Sequence, residues 1–129
     1  MEQKTQQQRL KDIVKSDIAL VMRDNGFKKK GNWFNRQGKE TSDYLNVMSS
    51  MGNYNDNVKF TLELYVMKGG ANPKHTYPIK DERVGKLKTG KDQWYSLTPD
   101  VNSEALGKEI GQDITQYAMP FFDKYGEGK

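Results

Sequence analysis

Five apolar residues near the N-terminus, Leu10, Ile13, Val14, Ile18 and Val21, recur at three- and four-residue spacing. That period places them on one face of a helix and predicts an α-helix from about Lys4 to Asn25. Asn25-Gly26 ends it, because glycine accepts the left-handed backbone a helix C-terminus needs. Residues 1–8 have no apolar face and are expected to fray. From Phe27 to Arg36 the period changes: aromatics alternate with polar residues, as on a half-exposed strand, with Gly31-Asn32 as a bulge or tight turn. Gln37-Gly38-Lys39 is the next turn. Ser42 to Ser50 reads as a strand with Tyr44, Asn46 and Met48 on one side and Leu45 and Val47 on the other. Met51 to Asn57 reads as a loop. Val58 to Met67 is the clearest strand, with Val58, Phe60, Leu62, Leu64 and Val66 alternating against Lys59, Thr61, Glu63, Tyr65 and Met67.

Residues 68–92 carry Gly69-Gly70, Asn72-Pro73, Tyr77-Pro78 and many charges, and read as a long loop, either mobile or functional. Gln93 to Leu97 is a candidate fourth strand, broken by Thr98-Pro99-Asp100. A second helix is predicted from about Asn102 to Tyr125, capped by Asn102 or Ser103, with Leu106, Ile110, Ile114, Tyr117 and Phe121 as its stripe. Pro120 should kink it or thin its last turn. The elements describe a single α+β domain over residues 1–129. An antiparallel sheet of three to four strands carries the N-terminal and C-terminal helices on one face, in the order α-β-β-β-(β)-α.

That arrangement leaves the other sheet face open. By alternation it presents Tyr44, Met48, Tyr65 and Met67, and Trp33 can join them. Aromatic and methionine side chains are enriched where proteins bind. Three readings follow: the long loop covers the face, two copies pair through it, or a partner or ligand binds there.

Composition narrows the chemistry. The chain has no cysteine, which removes disulfides, thiolate nucleophiles and cysteine-held metals. With no apolar run long enough to span a membrane and a polar, glutamine-rich start, a cytoplasmic location is expected. The only histidine, His75, has no second ligand at metal-binding spacing, so no metal or cofactor is expected. No nucleophile elbow or phosphate-cradling glycine motif is present. The net charge of +4 reflects 21 basic against 17 acidic residues and permits an acidic partner without demanding one.

Lys28, Lys29 and Lys30 form a basic patch at the start of the first strand. With Trp33, Tyr44, Tyr54, Tyr65 and Trp94 they could serve a nucleic acid; alternatively they keep an edge strand soluble. On a helical wheel Asp17 falls inside the first apolar stripe, so it needs a partner. Arg36, on the same strand side as Phe34, is expected to form a structural pair with it. Gly107 and Gly111, four apart, suggest close packing of the second helix against the first.

The run "IALVMRDNGFKKKG" over 18–31, followed by "NWFNRQ", resembles the bacterial domain-of-unknown-function family 4304. Gly26, Phe27, Lys28, Lys29, Phe34 and Arg36 carry the likeness, with "DQWYSL" at 92–97 and "DITQYAMPFFDKY" near the end, including Pro120 before Phe121 and Phe122. The resemblance implies a standalone bacterial cytoplasmic domain and supplies no catalytic residues. Small α+β domains of this size include immunity proteins, an analogy of fold alone. The expected function is a non-enzymatic binding or interaction module, with nucleic-acid binding second and an enzyme or small-molecule site third. The expected partner is a protein or a second copy at the open face, and no membrane.

Overall fold

The computed structural model describes residues 5–50 and 57–126. The first helix, α1, runs from 6 to 24: an α-helical stretch Gln6–Ile13, a π-helical turn Val14–Ile18, and an α-helical stretch Ala19–Asp24. Thr5 and Gln8 close its start with reciprocal side-chain-to-backbone hydrogen bonds. Such a capping box satisfies two orphan donors at the start of the helix. Gly26 ends it with φ 86°.

Six strands follow: β1 Lys28–Lys30, β2 Trp33–Gln37, β3 Thr41–Ser49, β4 Val58–Lys68, β5 Lys80–Arg83 and β6 Tyr95–Leu97. A short helix α2, Val84–Thr89, lies between β5 and β6. The last helix, α3, spans 103–125 as Ser103–Asp113, a π turn Ile114–Ala118, and Met119–Tyr125. Asn102 caps it by accepting from the Ala105 N–H at 3.0 Å. The fold is therefore α+β as expected, with an open antiparallel sheet of more strands than the three or four foreseen. Strand order is β1-β2-β3-β4-β5, and β6 also pairs with β4. Gly31-Asn32 proves to be the tight turn between β1 and β2.

Much of the difference lies in 68–92, which is not a single loop. Ile79 donates to the Val66 carbonyl and leads into β5, which adds to β4 alongside Glu63 to Val66. Upstream, Gly69 donates to the Glu40 carbonyl at 2.7 Å, and Asn72 accepts from the backbone of Lys74, His75 and Thr76. The strand escaped the pattern because Lys-Asp-Glu-Arg has no apolar alternation. It is held by backbone pairing with β4 and by polar contacts of Arg83. Gly85 explains how α2 folds back: a Cβ there would fall 1.9 Å from the Gln93 carbonyl oxygen. The expected 51–57 loop, including Tyr54, lies outside the described residues apart from Asn57.

The π turns set which residues face the sheet. A regular helix would carry the stripe from Leu10, Ile13 and Val14 on to Asp17, Ile18 and Val21. The extra residue in the wide turn keeps Ile18 buried but brings in Ala19 and Met22 in place of Asp17 and Val21. In α3, Ile110 and Ile114 are followed by Ala118, Met119, Phe121 and Phe122 in the core, while Tyr117 is only half-buried. Pro120 lies two residues past the end of the second π turn, and the helix continues through it to Tyr125. The wide turn eases the clash between a proline ring and the preceding carbonyls.

The helices run side by side in the same direction. Arg9 of α1 donates to Ser103 Oγ and to the Thr98 carbonyl at the start of α3. Further along, Asp17 lies against Gly107, and Val21 lies 3.4 Å from where a Gly111 Cβ would be. The two glycines are the groove that lets the helices meet. Both helices and the inward sheet residues Phe34, Leu45, Leu62 and Leu64 form one core.

Candidate functional site

Residues opposite each other on neighbouring strands share a face. The registers therefore build two rows across the sheet on the side away from the helices. One row reads Lys30, Trp33, Asn46, Glu63, Arg83; the next reads Lys28, Asn35, Tyr44, Tyr65, Asp81. Trp33 reaches over β3 to stack on Tyr65, with ring centroids 5.8 Å apart, and meets Tyr44 edge-on at 6.1 Å. All three rings are half-buried. Lys74, from the segment between β4 and β5, places its ammonium 5.6 Å from the Trp33 ring centroid.

Beside the rings lies a polar network. Glu63 Oε1 accepts from Asn46 Nδ2 at 3.1 Å and from the Tyr65 hydroxyl at 3.0 Å. Its Oε2 meets Arg83 at 3.4 Å, and Arg83 also reaches Asp92 at 2.6 Å and lies 5.2 Å from the Trp94 ring centroid. Burial, then the charge of Glu63 and its hydrogen bond, push the Tyr65 phenol up to about 12. The phenol therefore stays a donor near neutral pH, and the rings and their polar neighbours hold one another in place.

A second cluster sits on the helix side. Asp113 of α3 is buried and accepts from the Tyr95 hydroxyl at 2.6 Å and from Lys88 Nζ at 3.0 Å. Lys88 also meets Glu109 at 3.2 Å. Burial first, and Asp113 next, raise the Tyr95 phenol. A cleft of about 460 Å³ opens beside it between α2, β6 and α3. Every member of this cluster already has a charge or hydrogen-bond partner, and the group ties α2 and β6 to α3.

The sequence profile for the domain of unknown function DUF4304 matches residues 18–124. The chain belongs to the DUF4304 family. Neither the curated proteins nor the solved structures offer a match.

In this DUF4304 chain, signature residues do structural work. Arg36 is buried and donates to Asp43 Oδ2 through Nε at 3.2 Å and Nη2 at 2.8 Å. It also donates to the Asn25 carbonyl at the end of α1 and lies 4.6 Å from the Phe27 ring centroid. Phe27 packs on Phe122 of α3. The motif thus locks the end of α1, the sheet and α3 together. The expected Asp17–Arg36 pair is not formed. Arg36 takes Asp43 instead, and the π turn swings Asp17 off the sheet-facing stripe toward Gly107.

The other expected site residues divide. Trp33, Tyr44 and Tyr65 come together on the DUF4304 open face, and Met48 is half-buried on the same face. Met67 shares that face by alternation but is fully buried, so it offers no surface. Lys28, Lys29 and Lys30 are all exposed; Lys28 and Lys30 join the aromatic rows, whereas Lys29 opposes Phe34 on the helix side. His75 is exposed, and among the described residues no three potential ligands cluster for a metal. No described helix is long and apolar enough to cross a membrane. Sequence reasoning missed Glu63 and Arg83 as functional candidates. Alternation alone does put Glu63 beside Tyr65, but Arg83 was hidden in the segment read as loop.

Proposed function

We propose that this DUF4304 chain is a cytoplasmic, non-enzymatic binding module whose recognition surface is the open face of its sheet. The observation that carries the reading is the cluster of Trp33, Tyr44 and Tyr65, half-exposed on the face opposite the helices. Large rings held in fixed positions offer contact area at low conformational cost, which is how hot spots are built. A free sheet face needs no such cluster for solubility. The absence of cysteine fits a reducing compartment. The carboxylates with the most developed surroundings, Glu63 and Asp113, already have cationic partners, which favours binding over acid–base chemistry.

The test uses wild-type protein and a Tyr44→Ala/Tyr65→Ala variant as baits for capture from lysate of the source organism, with and without nuclease. Both baits are first checked for a cooperative melt. The reading expects a component held by wild type and lost by the variant. Equal capture by both folded baits contradicts it.

A further inference from the structure

We propose that the open face takes single-stranded nucleic acid, with bases against the Trp33–Tyr44–Tyr65 rings and phosphates along the β1 edge; this rests on the open-face reading above. The sequence presents the lysine run and the aromatics as separate features. The register joins them. Lys30 is the cross-strand partner of Trp33, and Lys28 that of Asn35, so both project on the aromatic face. Lys74 arrives at the same ring from the β4–β5 segment. Lys74 thus lies over the tryptophan ring while Lys28 and Lys30 line the β1 edge of the same face, and no acidic side chain of either row lies on β1, β2 or β3.

The acids of the two rows are farther along. Glu63 is matched by Arg83, and Asp81 lies on β5 at the opposite edge. The face therefore grades from cationic at β1 to net acidic at β5, where Glu63, Asp81 and Asp92 surround Arg83. A strand of polyanion laid across β1 and β2 meets lysines first and rings next. That pairing of a basic rim with stacking platforms is what sequence-tolerant single-strand binders use. Asn35 donates to the Asp43 carbonyl and accepts from Gln37, and Asn46 donates to Glu63, so recognition falls to the rings and the lysines. A duplex fits poorly, because its bases are stacked inward and cannot reach the rings.

Fluorescence anisotropy tests this with the full chain and labelled oligo-dT and oligo-rU of about twelve nucleotides, beside a duplex of equal length. The expected result is binding to the single strands, weaker for the duplex, falling tenfold or more between about 50 and 200 mM salt. Lys28→Glu with Lys30→Glu should cost about tenfold or more at low salt and flatten the salt dependence. Tyr44→Ala should cost about tenfold at every salt. No binding to any oligonucleotide, equal binding to duplex, or indifference to Tyr44→Ala overturns the proposal. The two readings separate cleanly. If oligonucleotides fail but a nuclease-resistant protein is still lost from the Tyr44→Ala/Tyr65→Ala bait, the nucleic-acid inference falls and the open-face reading stands. If that capture is also unchanged, both fall.

Discussion

Two arginine–carboxylate pairs, on opposite faces of the same sheet, divide the molecule's work. Arg36 and Asp43 are buried on the helix side, at 9% and 5% side-chain exposure, with a helix-end carbonyl and a phenylalanine ring around the guanidinium. Arg83 and Glu63 lie on the open side, at 34% and 13%, in a network that ends on a half-exposed tyrosine. The buried pair holds three elements together. The open pair neutralises an acid beside aromatic rings and keeps those rings in place. The same chemistry thus serves cohesion where water is excluded and presentation where it is not. Burial decides the energetic weight, because breaking a desolvated pair strands a charge, whereas a wet pair is screened.

The comparison breaks most readily at the buried pair. Asp43→Ala leaves the Arg36 guanidinium without its carboxylate and should cost about 3–5 kcal/mol by urea unfolding. A cost below about 1 kcal/mol would place Arg36 outside the node. Gly85→Ala comes next. Its methyl would run into the Gln93 backbone, which cannot swing aside as a side chain can. A loss of about 2 kcal/mol, seen as a melting shift of several degrees, is expected. Glu63→Gln on the open side should change stability by less than about 1 kcal/mol.

The smallest effect sharpens the comparison through pH. The Tyr65 phenol is raised from 10.0 to about 12, so the folded chain keeps a proton that the unfolded chain releases. Its contribution to stability is complete below pH 10 and is lost as pH rises to 12, so the folded state weakens across that window. Tyr95, buried against Asp113, shifts in the same direction. Phenolate absorbance and unfolding midpoints measured together should show Glu63→Gln lowering the Tyr65 ionisation and flattening the alkaline loss. Unchanged ionisation would mean that burial alone raises it.

What could be read from the sequence depended on side-chain periodicity. Val58 to Lys68 alternates cleanly and was legible, as were both helices and the outward direction of Tyr44 and Tyr65. Three things were not. The π turns at Val14–Ile18 and Ile114–Ala118 insert a residue that a fixed helical period does not allow for, and this sent Asp17 to the wrong partner. Strand β5 is held by backbone bonds to β4 and has no apolar signature, which hid Arg83. The meeting of Lys28 and Lys30 with Trp33 depends on strand register, which is set by the Gly31-Asn32 turn and by pairing across the sheet. The family motif was legible and structural, so recognising it pointed to Arg36 and the core, not to the open face.

The most direct test is chemical-shift mapping of ¹⁵N-labelled protein titrated with the single-stranded oligonucleotide. Shifts are expected at residues 28–35, 44–48, 63–65 and 74, with the amides around Lys88 and Asp113 unmoved. Shifts centred on the α2–β6–α3 cleft, or none at saturating oligonucleotide, would contradict it.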